Sequence, residues 1–369
     1  MSHLIPQRMS LRVSRLLLFC LLCLGAAATT TAAACPGLPE GTLTWVIPSK
    51  PGGGYDAYSR LLQPFLERAL DRRLMLINRP EAGGIVAAKT VHAAAPDGTT
   101  LGLINGAGLL AARALSGIDA PDPASQFSVL ARLVTNRVVM VTGRDSGIGS
   151  VAELLERAVE GPVLVGVRDA GSASFISLPI SASLLGLDYA VVSGYVGISA
   201  RTMAALRSEV DILFVTFDSA RRHIDSGDLV PLLQITEAQN PDAAMVSRDL
   251  DEPIPVLGGA NGLAVAHAAR TGRTPQQAER EAEALANIFA SGRLVVGPPG
   301  MSPALSECLG GVLLGVLESS ELRLAAKRAQ LSIEPADSES AERSLKLARR
   351  QLQDFLPLIE RAVNSLRQP

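Results

Sequence analysis

The sequence predicts an α/β fold in two lobes, built on mostly parallel sheets, with two strands crossing between the lobes at a hinge. Three observations lead there. From residue 43 short β-type runs alternate with amphipathic helical runs. An unusually long, valine-rich extended stretch follows from Phe127 to Thr142. A polar, proline-bearing region over about 239–261 then interrupts the rhythm before it resumes.

The elements follow in order. Thr42 to Ile47 reads as the first strand, and from about Asp56 a helix sets Leu61, Leu62, Phe65, Leu66 and Ala69 on one face. Leu74–Ile77 is a strand, Gly84–Ala94 a helix and Leu101–Ile104 a third strand, so three β-α units make a first lobe. Ser150 with Glu153 three residues on is a capping box that starts a helix through Glu160. Strand-like segments at 163–167, 189–193, 210–215 and 229–235, with helices between them, make a second lobe. After the interruption come a helix near 275–290, the strand Arg293–Val296 and helices near 303–318, 321–330 and 340–364. If these last elements rejoin the first lobe, its residues are 35–135 and 240–369, the second lobe is 136–239, and the chain crosses twice as in hinged binding proteins.

Composition narrows the function. With 47% hydrophobic residues the chain is globular, and its length of 369 residues suits one bilobal unit or two ordinary domains. Arg8, Arg12 and Arg15 precede the apolar run Leu16–Leu24, and small residues follow to Ala34, which is the order of a secretory signal peptide. The run is too short for a membrane-crossing helix, which needs about 20 apolar residues. Cys35 directly after Ala32-Ala33-Ala34 is either an ordinary mature residue or the lipid-carrying first residue of a lipoprotein. Removing residues 1–34 takes away three arginines and no acids, so the formal charge moves from −2 to −2 − 3 = −5. That balance gives no electrostatic reason to expect nucleic acid or an anionic membrane as partner, and any anion must be held by local geometry. Cys35 and Cys308 are free to pair in an oxidising compartment, but their separation in sequence says nothing about proximity. Neither they nor the isolated His92, His223 and His267 have the spacing of a metal site.

The chemistry concentrates in Pro48-Ser49-Lys50-Pro51-Gly52-Gly53-Gly54-Tyr55-Asp56, between the first strand and the first helix. Successive glycines allow a sharp turn and close ligand approach, and they put amide N–H groups at a helix N-terminus, where an anion is favoured. The alternative is a tight turn with Asp56 as helix N-cap. No Gly-Lys-Ser/Thr follows, so this is not a nucleotide P-loop.

Together with Arg60-Leu61-Leu62 this segment resembles the opening of the Bug family, the tripartite tricarboxylate transporter receptors. The resemblance continues through Asn78–Gly84, Ala95–Thr99, Gly194-Tyr195-Val196-Gly197, Val210-Asp211 and Gly297–Pro303, and so covers the chain from the first strand to the final helices. It implies a two-lobed periplasmic binding protein of type II-like fold that binds a small carboxylate. The loop Ser49, Lys50, Gly52, Gly53, Gly54, Tyr55 and Asp56 would meet the carboxylate. Asn105, Gly106 and Ala107 would contribute from the third strand's end, and Gly171, Ser172 and Ser174 from a second-lobe loop. Tyr195 and Asp218 would complete the far wall. Ser172 or Ser174 can equally cap the following helix. Ser49 stands where the family commonly has an aromatic residue, and Phe175 lies near the position of a frequent histidine, so the likeness is to a branch marked by Gly-Gly-Gly-Tyr-Asp and Gly-Tyr-x-Gly.

Gly106-Ala107-Gly108-Leu109-Leu110-Ala111 matches Gly-x-Gly-x-x-Ala, but it does not sit on the first strand, and about 20 residues on lies a turn, Pro121-Asp122-Pro123. A Gly-x-Ser-x-Gly elbow is absent. The expected protein is a monomeric, non-enzymatic periplasmic receptor with no cofactor, serving integral-membrane carrier subunits or a periplasmic sensor. The rival is an exported α/β enzyme acting on a small carboxylate or ester.

Overall fold

The computed structural model describes residues 35–115, 119–167, 173–195, 197–236 and 254–365, with 173, 174 and 365 described in backbone only. The chain first lays down β1 (Leu43–Ile47), α1 (Gly54–Leu70), β2 (Leu74–Asn78), a 3-10 turn (Glu81–Gly84), α2 (Ile85–His92), β3 (Thr100–Asn105), α3 (Gly106–Ala114) and β4 (Ser128–Val134). A second series follows: β5 (Val138–Gly143), α4 (Val151–Arg157), β6 (Val163–Gly166), α5 (Ala173–Leu185), β7 (Tyr189–Val192), α6 (Ile198–Leu206), β8 (Ile212–Thr216), α7 (Phe217–Asp225) and β9 (Leu229–Ile235). The return comprises α8 (Leu263–Ala266), α9 (Pro275–Ala290), β10 (Arg293–Gly297), α10 (Pro303–Glu318), α11 (Ser320–Arg328), β11 (Ala336–Asp337) and α12 (Ser338–Ser365).

Two sheets result, ordered β11-β4-β10-β3-β1-β2 and β7-β6-β8-β5-β9. Each is mixed. β2, β1 and β3 run parallel, as do β7, β6 and β8, because helical crossovers join them. β10 lies antiparallel between β3 and β4, and β5 lies antiparallel between β8 and β9, because these strands carry the chain between the two sheets. The long extended stretch 127–142 is therefore not one strand. It breaks at Thr135-Asn136-Arg137, where Asn136 N–H donates to the Phe289 carbonyl and the Arg137 carbonyl accepts from Phe217 N–H. The segment before that break pairs in the first sheet and the segment after it in the second.

Side-chain alternation explains the layers. Leu43, Trp45 and Ile47 of β1 face α1, which buries Tyr58, Leu62, Leu66 and Leu70 at four-residue spacing, while Val46 faces the opposite side. That opposite side opens on a core shared by both sheets: Ile104 and Val296 of the first and Met140, Val165 and Phe214 of the second join one cluster with α3, α5, α9 and α12. The outer faces have separate cores, under α1, α10 and α11 for the first sheet and under α6 and α7 for the second.

Two local expectations change. Ser150 Oγ accepts from Glu153 N–H at 3.2 Å, but the Glu153 carboxylate takes the Gly149 amide rather than that of Ser150, and α4 ends at Arg157. Only half of the capping box forms. Cys35 pairs with Cys308 of α10, with Cα atoms 5.5 Å apart, so its sulfur is occupied and not available for lipid attachment. Among the described residues no helix is long and apolar enough to cross a membrane. Most of the polar region 239–261 lies outside the described residues.

Candidate functional site

A cleft of about 770 Å³ separates the strand ends of the two sheets. Among the described residues its walls include the starts of five helices: Gly54 and Tyr55 of α1, Ile85 of α2, Gly108 of α3, Ile198 and Ser199 of α6, and Asp218 and Ser219 of α7. Each start carries backbone N–H groups lacking an intrahelical acceptor and the positive end of a helix dipole. Their presence in the walls of one cleft favours a negatively charged occupant.

The glycine turn is built from inside. Asp56, 2% exposed, accepts from the Gly52 amide at 2.9 Å, from Arg60 Nε at 2.8 Å and from Asn78 Nδ2 at 3.0 Å. Burial acts to raise its pKa, but the hydrogen bonds from Arg60, Gly52 and Asn78 outweigh it and hold the carboxyl below its ordinary value. In return Ser49 Oγ accepts from Asp56 N–H at 3.2 Å. The N-cap position belongs to Gly53, and Asp56 sits three residues into the helix. The amides do not all face a ligand: Gly52 donates to Asp56, and Gly53 donates to the Lys50 carbonyl at 3.0 Å. Gly54 N–H has no acceptor among the described residues. The turn is clamped by the 80–84 loop, where Gly84 at φ +96° lies so close to Pro48 that a Cβ would come within 2.7 Å of Pro48 Cβ.

Of the expected site residues, Ser49, Lys50, Gly52, Gly53, Gly54, Tyr55, Asn105 and Asp218 line the cleft. Gly106 and Ala107 do not. Gly106 donates its N–H to the Gly292 carbonyl and packs on Ser291, and Ala107 is fully buried, because the start of α3 turns them into the core. Tyr195 is also away from the cleft: its hydroxyl donates to Glu209 at 3.1 Å and its ring packs with the outer core of the second sheet. Gly171 and Ser172 lie outside the described residues, as does the side chain of Ser174. Asp218 is at the wall, but its carboxylate is engaged across the cleft. It accepts from Tyr58 Oη at 2.9 Å and Ser332 Oγ at 3.0 Å, and Arg137 Nη2 lies 3.7 Å away.

The cleft also holds basic residues that were not among the expected site residues: Arg201, Arg221, Arg222, His223 and Arg293. Arg201 donates to the Phe214 carbonyl at 3.1 Å, Arg221 pairs with Asp225 at 3.5 Å, and Arg222 is exposed. Arg293 is 3% exposed, with its guanidinium 4.9 Å from the Tyr55 ring centre and 4.7 Å from that of Tyr58. Burial opposes its charge, and Tyr58, Tyr55 and Asp218 more than restore it, so its pKa is raised. Two signals were present in the sequence: the basic run Arg221-Arg222-His223 just after a strand, and an arginine opening the otherwise apolar Arg293-Leu294-Val295-Val296.

Among solved structures the fold resembles an R. palustris protein with adipate (TM-score 0.68, 18% identity, 87% of this chain and 98% of the other). It likewise resembles the periplasmic binding protein BugD (0.65, 18%, 87% and 98%) and MatC from Rhodopseudomonas palustris with bound malate (0.60, 20%, 88% and 99%). At these identities the likeness concerns the fold, which is that of a two-lobed periplasmic binding protein. In sequence the chain is 27% identical over 199 residues to a UPF0065 protein of Pseudomonas sp. (strain P51) and 28% identical over 196 residues to one of Bordetella pertussis. Each alignment covers 53% of this chain and 59% or 60% of the relative, so less than two thirds of the relatives' length is matched. The profile described as "Tripartite tricarboxylate transporter family receptor" matches residues 59–247, just over half of the chain. This chain therefore belongs to the tripartite tricarboxylate transporter receptor family.

Proposed function

We propose that this protein is an exported, non-catalytic receptor of the periplasm that closes on a small carboxylate and delivers it to integral-membrane carrier subunits. The observation that supports this most directly is the cleft itself. Among the described residues, five helix starts and six basic side chains line a space whose one acid, Asp218, is already engaged by Tyr58, Ser332 and Arg137. Residues 35–369 carry a net charge of −5, so this positive concentration is local and not a property of the whole surface. Adipate and malate in the structural relatives agree with a carboxylate ligand here.

The two sheets are read as lobes comprising 35–135 with 240–369, and 136–239, hinged at Thr135–Arg137 and at the return into β10. A ligand touching both lobes favours the closed form by the contacts it makes only there. The receptor acts as a monomer in this reading. Protein purified from its native host and examined by native mass spectrometry should carry a carboxylic acid at one per chain, released on denaturation. Isothermal titration with that acid should show one site and no turnover. Conversion of the acid, or of an ester of it, by purified protein would overturn the receptor reading in favour of an exported enzyme. Deletion of the gene should abolish uptake. Retained uptake with lost induction would instead assign the receptor to a periplasmic sensor.

A further inference from the structure

We propose that Arg293, buried beneath the glycine turn at the hinge, is the fixed cation that receives an anionic group of the ligand. The proposal rests on the carboxylate-receptor reading and names the residue that gives the site its charge preference. Arg293 opens β10, opposite Asn105 on β3 and Val134 on β4, at the point where the chain returns to the first sheet. It is 3% exposed and hydrogen-bonds to the Tyr55 side chain, yet its Nε and Nη1 have no hydrogen-bond acceptor among the described residues. Among the described residues no carboxylate forms an ion pair with it. Asp218 contributes its field, but that carboxylate accepts from Tyr58 and Ser332.

A buried guanidinium with a tyrosine as hydrogen-bond partner but no counter-charge is costly to the fold, because its desolvation is not repaid. The cost has a functional explanation if the missing acceptor is the ligand. The two tyrosine rings fix the plane of the guanidinium while leaving N–H groups unused, as a pre-arranged receptor for an anion requires. Position agrees. A Cβ on Gly54 would lie 3.5 Å from Arg293 Nη2, 3.6 Å from Nη1 and 3.3 Å from Ser219 Oγ, so the guanidinium packs directly against the first residue of α1. The Gly54 amide, which has no acceptor among the described residues, the guanidinium and the Ser219 hydroxyl of α7 thus converge on one corner of the cleft. An anion placed there would lie between β10 of the first sheet and α7, which packs on the second, close to the proposed hinge.

The test compares wild type, Arg293→Gln and Arg293→Lys by isothermal titration with succinate, malate, adipate and citrate, and by ligand-free thermal unfolding. At least one of the four acids should bind wild type. Arg293→Gln should weaken that binding by about 30-fold or more, as expected when one member of a buried charge-assisted pair is removed. Arg293→Lys should recover part of it, and the loss should persist in high salt because the site is shielded from solvent ions. Ligand-free Arg293→Gln should melt no lower than wild type, since an unpaired buried charge has been removed. Wild-type affinity in Arg293→Gln would overturn the proposal, as would a ligand-free Tm lowered by about 5 °C or more in both variants, which would make Arg293 a structural support. Failure of the carboxylate reading looks different: none of the acids then binds wild type, and the proposal falls with it.

Discussion

Asp56 and Lys50 lie six residues apart in sequence, the first buried and the second exposed. Asp56 ties the glycine turn to α1 and β2 through Gly52, Arg60 and Asn78. Its folded pKa lies below the ordinary 3.8, so its stabilising contribution is fully present above that value and is lost as pH falls through the lower folded value. Asp56→Asn should therefore lower Tm at neutral pH, and the gap to wild type should close below about pH 4 in thermal melts taken across pH. A gap that stays constant with pH would show that the carboxylate's charge is not what holds the turn. Lys50 is exposed at the cleft mouth. Lys50→Gln should weaken carboxylate binding by only roughly two- to five-fold and flatten its salt dependence, because an exposed charge is strongly screened. An unchanged salt slope in titrations between low and high salt would make it an ordinary solvated lysine.

At the scale of elements, the β1–α1 unit couples the cleft to the core. Gly53 has an ordinary φ of −76°, so a side chain there meets no backbone strain. The obstacle is space, since a Cβ would come within 3.0 Å of the Lys50 carbonyl and of Ser49 Oγ. Gly53→Val should spread the turn, at a cost of about 1–3 kcal/mol, and weaken ligand binding about tenfold or more while the fold persists. Trp45 offers a readout. Its Nε1 donates to Ser59 Oγ at 3.0 Å, and that hydroxyl donates to the Tyr55 carbonyl at 2.8 Å, inside the first turn of α1. Ligand titration should give a saturable change in Trp45 fluorescence in wild type, shifted to higher ligand concentration in Gly53→Val. Equal midpoints in the two proteins would remove the turn from the binding site.

For the whole molecule, the decisive feature is that the two sheets are not independent. Leu345, Leu352 and Ile359 of α12 belong to the same buried cluster as Met140 and Phe214 of the second sheet and Ile104 of the first. In the proposed hinged reading, motion between the sheets would pivot on this shared layer. The Cys35–Cys308 bond anchors the start of the described chain to α10 across a separation of 273 residues. Closing so long a loop restricts the unfolded chain, a stabilisation of roughly 2–5 kcal/mol. Cys308→Ser should lower Tm by several degrees, and reductant should lower wild type by a similar amount without affecting the variant. A reductant-insensitive wild type would show that the bond contributes little.

The sequence by itself determined the alternation of strands and helices and the glycine turn, because these follow from local periodicity and backbone chemistry, whereas the pairing of β10 with β3 and β4 was decided only by the tertiary structure. The strand at 43–47 and the helices at 275–290 and 303–318 are where the pattern puts them, since each buries one regular face against a single layer. The break of the 127–142 stretch was not legible, because β4 and β5 are equally apolar and only their pairing partners differ. Nor were the roles within the cleft. Asp218, Tyr58 and Ser332 are brought together over separations of 160 and 114 residues, and Gly106 and Tyr195 are turned away from the cleft by the packing of their own elements. Arg293 shows the difference most clearly. In sequence it is an arginine at the edge of a strand, and only the meeting of β10, α1 and α7 makes it a buried cation with unused donors, because burial and pairing are properties of neighbours distant in the chain.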